Sequence, residues 1–190
     1  MGDAEISYWS DEVYFPAEDS MLLIDAIEPG KGSFLDVGTG SGIAGIIASR
    51  RGYSVVSTDI SSSALRCAAL NAVANNVEIR TVRCDLLSGL RGDFDVIAFN
   101  PPYLPSTGAS DYRFEGGKEG WELSARFLNE CEGRITAEGY VLLIVSSLTS
   151  QGVLRSAGNR WIFEERGMRN VGMETLRVLR AKPSSSLSHR

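Results

Sequence analysis

Ser33-Phe-Leu-Asp-Val-Gly-Thr-Gly-Ser-Gly42 runs from a short apolar strand into three glycines at alternate positions, and Ile43-Ala-Gly-Ile-Ile-Ala-Ser49 continues as a buried helix. Glycines at a strand-to-helix turn let the backbone take positive φ and approach a ligand closely. Gly40-Ser-Gly-Ile-Ala-Gly45 also matches the dinucleotide fingerprint G-x-G-x-x-G. Its register is late, because the strand ends at Val37 and the match begins three residues beyond it. Asp36-x-Gly38-x-Gly40-x-Gly42 fits the boundary better, and it suits a ligand carrying an amino acid in place of a pyrophosphate. Asp36, two residues before the first glycine, stands where a carboxylate meets an ammonium group.

Outward from this turn, strands and helices alternate over residues 33–38, 42–51, 54–59, 62–75, 77–83 and 94–99. That rhythm indicates a parallel sheet built from right-handed crossovers. Val55-Val-Ser-Thr-Asp59 ends the second strand with an acid about 20 residues after the turn, as ribose recognition requires. The third strand leads into Cys84-Asp85-Leu86, where Asp85 is placed to accept from an adenine amino group. Upstream, Pro16 marks a helix start near Ala17, and Glu18 and Asp19 complement the positive end of its dipole. Met21, Leu22, Leu23, Ala26 and Ile27 form the expected buried stripe of that helix. Residues 1–12 are acidic and small, with Tyr8 and Trp9 as candidate anchors. Downstream, a helix is expected over 121–136, a central strand over 139–147 and a brief helix over 151–157. Strands at 160–166 and 174–181 are close enough to pair antiparallel. The expected fold is a doubly wound, mostly parallel, seven-stranded α/β sheet with an antiparallel edge hairpin. The expected organisation is one domain over residues 1–182, followed by a flexible tail over 183–190.

Asn100-Pro101-Pro102-Tyr103 follows the apolar run Phe94-Asp-Val-Ile-Ala-Phe99 directly. An amide side chain offers a donor and an acceptor. Prolines fix φ and donate nothing, which frees carbonyls to accept from a substrate. Tyr103 adds a flat apolar face. Together they form a rigid clamp for a planar NH2 group. Residues 104–120 then form a polar, glycine-rich stretch long enough to serve as a lid or binding loop.

Composition narrows the partners. A net charge of −5 disfavours a grip on long nucleic acid, which a basic patch usually supplies. Arg166, Arg169, Arg177, Arg180 and Lys182 are the densest basic group, but they alternate with apolar residues as on a solvated strand face. No apolar stretch approaches 18 residues, which argues against a membrane span. Three scattered cysteines, Cys67, Cys84 and Cys131, read as core thiols in a reducing cytoplasm. The single histidine, His189, lies in the tail, so a positioned catalytic histidine is not expected.

Asp36-Val-Gly-Thr-Gly-Ser-Gly42, Asp59, Asp85 and Asn100-Pro-Pro-Tyr103, in this order and spacing, resemble a class I S-adenosylmethionine-dependent methyltransferase of Rossmann-like fold. Val13-Tyr-Phe-Pro-Ala-Glu-Asp-Ser-Met-Leu-Leu-Ile-Asp25 resembles the opening of the short HemK-like family, archaeal and eukaryotic enzymes that methylate the glutamine of the Gly-Gly-Gln motif in class I release factors. The resemblance runs from about residue 13 to residue 180. It implies S-adenosylmethionine as cofactor, with Ser20, Asp36, Gly38, Gly40, Asp59, Asp85, Leu86 and Asn100 around it. It implies Asn100, Pro101 and Tyr103 at the reacting nitrogen, a release factor as protein substrate, and a small zinc-binding activator as a partner. Protein lysine methylation, nucleic-acid adenine N6-methylation and a non-enzymatic scaffold role remain the alternatives. Tyr14 either walls the cofactor or packs beside it.

Overall fold

The computed structural model describes residues 4–106 and 116–184. The apolar runs become β1 (Ser33–Val37), β2 (Ser54–Asp59), β3 (Ile79–Arg83), β4 (Phe94–Phe99) and β5 (Ile135–Ser146), all parallel. β6 (Trp161–Val171) and β7 (Glu174–Pro183) form the expected hairpin, with β7 antiparallel to β5. The sheet order is β3-β2-β1-β4-β5-β7-β6. The helices are α1 (Glu18–Ala26), α2 (Ile43–Arg50), α3 (Ser62–Ala74), α4 (Glu122–Cys131) and α5 (Ser150–Ala157).

Alternation along β5 shows how one sheet serves two cores. Tyr140, Leu142 and Ile144 pack on one face with Phe34, Ile46 and Leu22, while Val141, Leu143 and Val145 pack on the other with Leu35, Ile97 and Phe127. A strand covered on both faces reads as a continuous apolar run, because successive side chains point to opposite sides. Strand order reverses where β1 lies between β2 and β4. A doubly wound sheet opens its ligand crevice at that point, outside the carboxyl ends of the strands.

Three expectations are corrected. The helix expected over 121–136 ends at Cys131, because Gly133 takes φ +72° and Arg134 N donates to the Cys131 carbonyl at 3.0 Å. Ile135, which extended the helical stripe in the sequence, instead opens β5 four residues early and pairs with Phe94. Pro183 belongs to β7, opposite Trp161, and not to the tail. β5 pairs only as far as Ala181, so the donor that Pro183 lacks breaks no bond on that side. Residues 185–190, with His189, lie outside the described residues.

The third correction concerns the N-terminal segment. Tyr8 and Trp9 are 46% and 49% exposed, and Trp9 bonds within its own segment, Nε1 donating to Val13 O at 2.8 Å beside the Phe15 ring, so it does not fix the segment to α3. Two asparagines one helical turn apart do. Asn71 Oδ1 accepts from the backbone of Ser7 and Tyr8, and its Nδ2 donates to Tyr8 O and Ser41 O. Asn75 exchanges a donor and an acceptor with the backbone of Glu5. Amide side chains here replace a strand partner for the segment, leading it across α3 towards the crevice.

Candidate functional site

A cavity of about 340 Å³ opens at the carboxyl ends of β1, β2 and β4. Ser20, Asp36, Gly38, Gly40, Asp59, Asp85, Leu86, Asn100, Pro101 and Tyr103 all line it. The residues singled out in the sequence therefore converge on one place, although they span four strand ends and one helix.

The glycine turn builds the floor. Gly38 and Gly42 take φ of +60° and +89°, and a Cβ would fall 2.9 Å from the Phe99 ring in the first and 2.8 Å from Ala68 Cα in the second. Gly45, the last glycine of the late fingerprint, serves packing instead. A Cβ there would lie 2.7 Å from Ser57 Oγ, and its N–H donates to Asp36 Oδ2 at 3.1 Å.

Asp36 is nearly inaccessible. Its Oδ2 also accepts from Thr39 Oγ1 at 2.5 Å and Ser57 Oγ at 3.5 Å. Burial nevertheless pushes its carboxyl up to about 6, and the nearby Asp59 charge adds to the rise against these donors. Asp59 accepts from Gly40 N at 3.1 Å and Ser61 N at 2.9 Å, yet burial also raises it. Two acids whose charged forms are both disfavoured by burial create a site that a cation relieves. Asp36 was expected to face an ammonium group directly. Its Oδ2 is tied to Thr39 of the turn, to Gly45 of α2 and to Ser57 of β2, so it also holds the loop in shape.

Asn100 stands at the end of β4. Its Nδ2 donates to Ser20 Oγ at 3.5 Å, the long end of hydrogen-bonding range, while its Oδ1 is buried with no hydrogen-bond partner. An unmet buried acceptor costs about 1–3 kcal/mol, which a turn of the side chain towards the cavity would recover on a ligand N–H. Tyr103 and Tyr14 both line the cavity. Burial, followed by the charge of Asp19, raises both hydroxyls above their ordinary value, so both stay protonated. Tyr14 donates to both oxygens of Asp19 at 3.1 Å. It thus walls the cavity and packs at once.

Asp85 lines the cavity with its carboxylate already engaged: Arg126 reaches both oxygens, at 2.9 and 2.5 Å. Both side chains are about half exposed, which screens the pair, but its two-point geometry is the stronger kind, so a ligand donor has to share Asp85 with Arg126. Leu86 adopts φ +49°, rare for a residue with a Cβ. Its carbonyl accepts from Cys84 Sγ at 3.2 Å and Thr58 Oγ1 at 3.4 Å, which holds the conformation. Thr58 did not stand out in the sequence, and Cys84, read there as a core thiol, is only partly buried at the cavity. Asp19 did not stand out either, except as a helix-dipole acid, yet it is 5% exposed and lines the cavity.

The 104–120 stretch is closed at its base. Gly116 N donates to Leu104 O at 2.9 Å and Ser106 N to Gly117 O at 2.8 Å. A Cβ on Gly116 would lie 2.5 Å from Pro102 O, so glycine permits this neck against the clamp. Residues 107–115 of the expected lid lie outside the described residues.

The model of the methyltransferase small domain matches residues 17–156. The chain belongs to this methyltransferase family. It is 38% identical over 148 residues to a Methanocaldococcus jannaschii protein provisionally named a protein N5-glutamine methyltransferase, covering 74% of this chain and 75% of that one. It is 31% identical to the mouse methyltransferase HEMK2, over 91% of each. Among solved structures, the Mtq2 of the E. cuniculi Mtq2–Trm112 complex, described as responsible for methylating the eRF1 termination factor, superposes with a TM-score of 0.72 at 28% identity. It covers 91% of this chain and 99% of that one. The small-domain methyltransferase fold and the seven-stranded sheet with its antiparallel edge pair therefore agree with the sequence reading.

Proposed function

We propose that this methyltransferase transfers a methyl group from S-adenosylmethionine to the side-chain amide nitrogen of the glutamine in the Gly-Gly-Gln motif of a class I release factor. The observation that carries the reading is the convergence of Asn100, Pro101 and Tyr103 with Asp36, Asp59 and Asp85 on one cavity. The names and actions of the relatives support the choice of substrate.

The residues present fit the cofactor. Asp59 is placed to take the ribose hydroxyls, and the glycine turn leaves room for backbone-close binding. The acids Asp36 and Asp59 favour a cation, and Asp85 with Leu86 would take the adenine. When bound, S-adenosylmethionine supplies an electrophilic methyl group on a sulfonium leaving group. The protein then has to align the acceptor. Amide nitrogen is a weak nucleophile because its lone pair is delocalised into the carbonyl. Accepting its N–H protons at Asn100 Oδ1 and the Pro101 carbonyl pushes electron density back towards nitrogen and fixes the plane of the group. Tyr103 offers an apolar wall to that plane. No strong general base is needed.

A small zinc-binding activator subunit is proposed as a partner, in line with the Mtq2–Trm112 complex. The reaction is assigned to the cytoplasm, consistent with free thiols at Cys67, Cys84 and Cys131. The test incubates purified protein with isotope-labelled S-adenosylmethionine and a recombinant class I release factor, then maps the label. Methylation at the glutamine of Gly-Gly-Gln is the expected result. Label on a lysine, or on nucleic acid and not on the release factor, overturns the reading.

A further inference from the structure

The clamp leaves the sheet with little backbone support of its own. β4 pairs with β1 and β5 as far as Phe99, and Asn100-Pro101-Pro102-Tyr103 runs on beyond that ladder. Two of its four residues have no N–H to donate. A carbonyl that is to accept from a substrate needs its peptide plane fixed, so another part of the chain has to hold that plane.

Residues 116–123 lie against it. Gly116 is buried, and a Cβ there would fall 2.5 Å from Pro102 O and 2.4 Å from Gly120 O. A Cβ on Gly120 would fall 2.6 Å from Tyr103 O. At both positions the hydrogen standing in place of Cβ points at a carbonyl of the clamp, the approach of a weak Cα–H···O contact. The atoms approached belong to the backbone, and cannot rotate aside as a side chain would. The segment is itself held. Gly116 N donates to Leu104 O at 2.9 Å, and Leu123 N donates to Gly116 O at 3.0 Å. The Glu122 carboxylate accepts from Glu119 N at 2.9 and 3.2 Å and from Trp121 N at 3.1 Å. The Trp121 ring is seated on Gly152 of α5, where a Cβ would fall 2.4 Å from it.

We infer that Gly116 and Gly120 are positioning residues for methyl transfer: they buttress the carbonyls of Pro102 and Tyr103 and so fix the path of the clamp. The inference rests on the clamp being what receives the reacting nitrogen. Any side chain at Gly116 has to push the Pro102 carbonyl or the Gly120 carbonyl away, and the prolines then carry the shift back towards Asn100. Gly116 takes no positive φ, so a substitution there acts through this close approach and not through strain at its own backbone.

The test measures kcat with a recombinant class I release factor and labelled S-adenosylmethionine, both saturating, with cofactor affinity by calorimetry and Tm by thermal unfolding. Gly116→Ala is expected to lower kcat by about 10- to 100-fold, the range for a misplaced reacting group, with cofactor affinity changed less than about threefold. The glycine turn and Asp59, which serve the cofactor, lie at the ends of β1 and β2 and should keep their places. Gly133→Ala, in the turn between α4 and β5, is the control. It carries the strain of a left-handed φ of +72° with open space around it, so it should lower Tm and leave kcat unchanged. Unchanged kcat in Gly116→Ala, or an equal loss of kcat in Gly133→Ala, overturns the inference. Should Gly116→Ala not fold, Glu122 carries the test. Glu122→Ala loosens the buttress without a clash and should lower kcat by about 3- to 10-fold. Glu122→Gln keeps an oxygen for the same N–H groups and should restore most of that loss. Wild-type kcat in Glu122→Ala overturns the inference. Asn100→Ala, run in parallel, separates the two readings. If it turns over like the wild type, the clamp assignment falls and the inference with it, whereas loss there with full activity in Gly116→Ala removes only the buttress.

Discussion

The crevice at the ends of β1, β2 and β4 and the β6–β7 hairpin use charge in opposite ways. On the hairpin, arginines outnumber lysines and each meets a carboxylate near water: Arg166 with Glu28 and Glu164, Arg169 with Glu18 and Asp25, Arg177 with Glu165. Arg180 lies 3.9 Å over the Tyr140 ring and 3.8 Å from Glu28. This basic group is thus balanced by acids, as expected for a solvated strand face. In the crevice the acids Asp36, buried, and Asp59, half-buried, are instead held by neutral backbone and hydroxyl donors, and Asp85 at its edge meets Arg126. Exposed pairs contribute little each, whereas a buried carboxylate or an unmet amide oxygen costs far more. The hairpin is tuned for tolerance, and the crevice holds its unfavourable groups ready for a ligand.

The largest effect should come from the crevice. Asn100→Ala is expected to bind cofactor nearly normally and to lose about 10²-fold or more in kcat, from misalignment and one lost transition-state hydrogen bond. Steady-state turnover close to wild type would reduce the clamp to a turn. Next, Asp59→Ala should weaken S-adenosylmethionine by roughly 2–3 kcal/mol in a folded protein, since charge-assisted bonds to the ribose are lost. Calorimetric titration reads it, and an unchanged affinity would place the ribose elsewhere.

A third prediction turns on pH. Burial holds the Asp36 carboxyl at about 6 in the folded chain, above its ordinary 3.8. Between those values the folded state binds the proton more tightly than the unfolded state, so this group makes the protein more stable as pH falls from above 6 towards 4. Asp36→Asn, which keeps an acceptor for Gly45 N, should therefore unfold at higher urea than wild type at pH 7.5, by on the order of 2 kcal/mol. The gap should close by pH 4. A wider gap at pH 4 than at 7.5 would contradict the burial argument. Smallest of all, Arg169→Ala on the hairpin should cost under ~1 kcal/mol, less at high salt. A loss of several kcal/mol in the same urea titration would make the ion pairs to α1 structural and erase the contrast between the two regions.

Much of this protein could be read before folding. The alternating glycines, the acid at the end of β2 and Asn100-Pro-Pro-Tyr103 each state a local requirement: positive φ, a ligand acceptor, a carbonyl freed by proline. Strand and helix alternation follows from periodicity in the same short range, which is why the crevice residues were legible and their convergence followed from sheet topology. Where local signals conflicted, the sequence misled. Ile135 continued a helical stripe, but the turn at Gly133 had already sent it into a strand. Tertiary structure alone decided the rest. Asn71 holds Tyr8 across 63 residues, Arg126 occupies Asp85 across 41, and Ser20 meets Asn100 across 80. Such polar pairings carry no periodicity and no fixed spacing. They depend on which side chains the sheet order and helix seating bring within 3 Å or so, and on the need of each buried donor or acceptor for a partner once water is excluded.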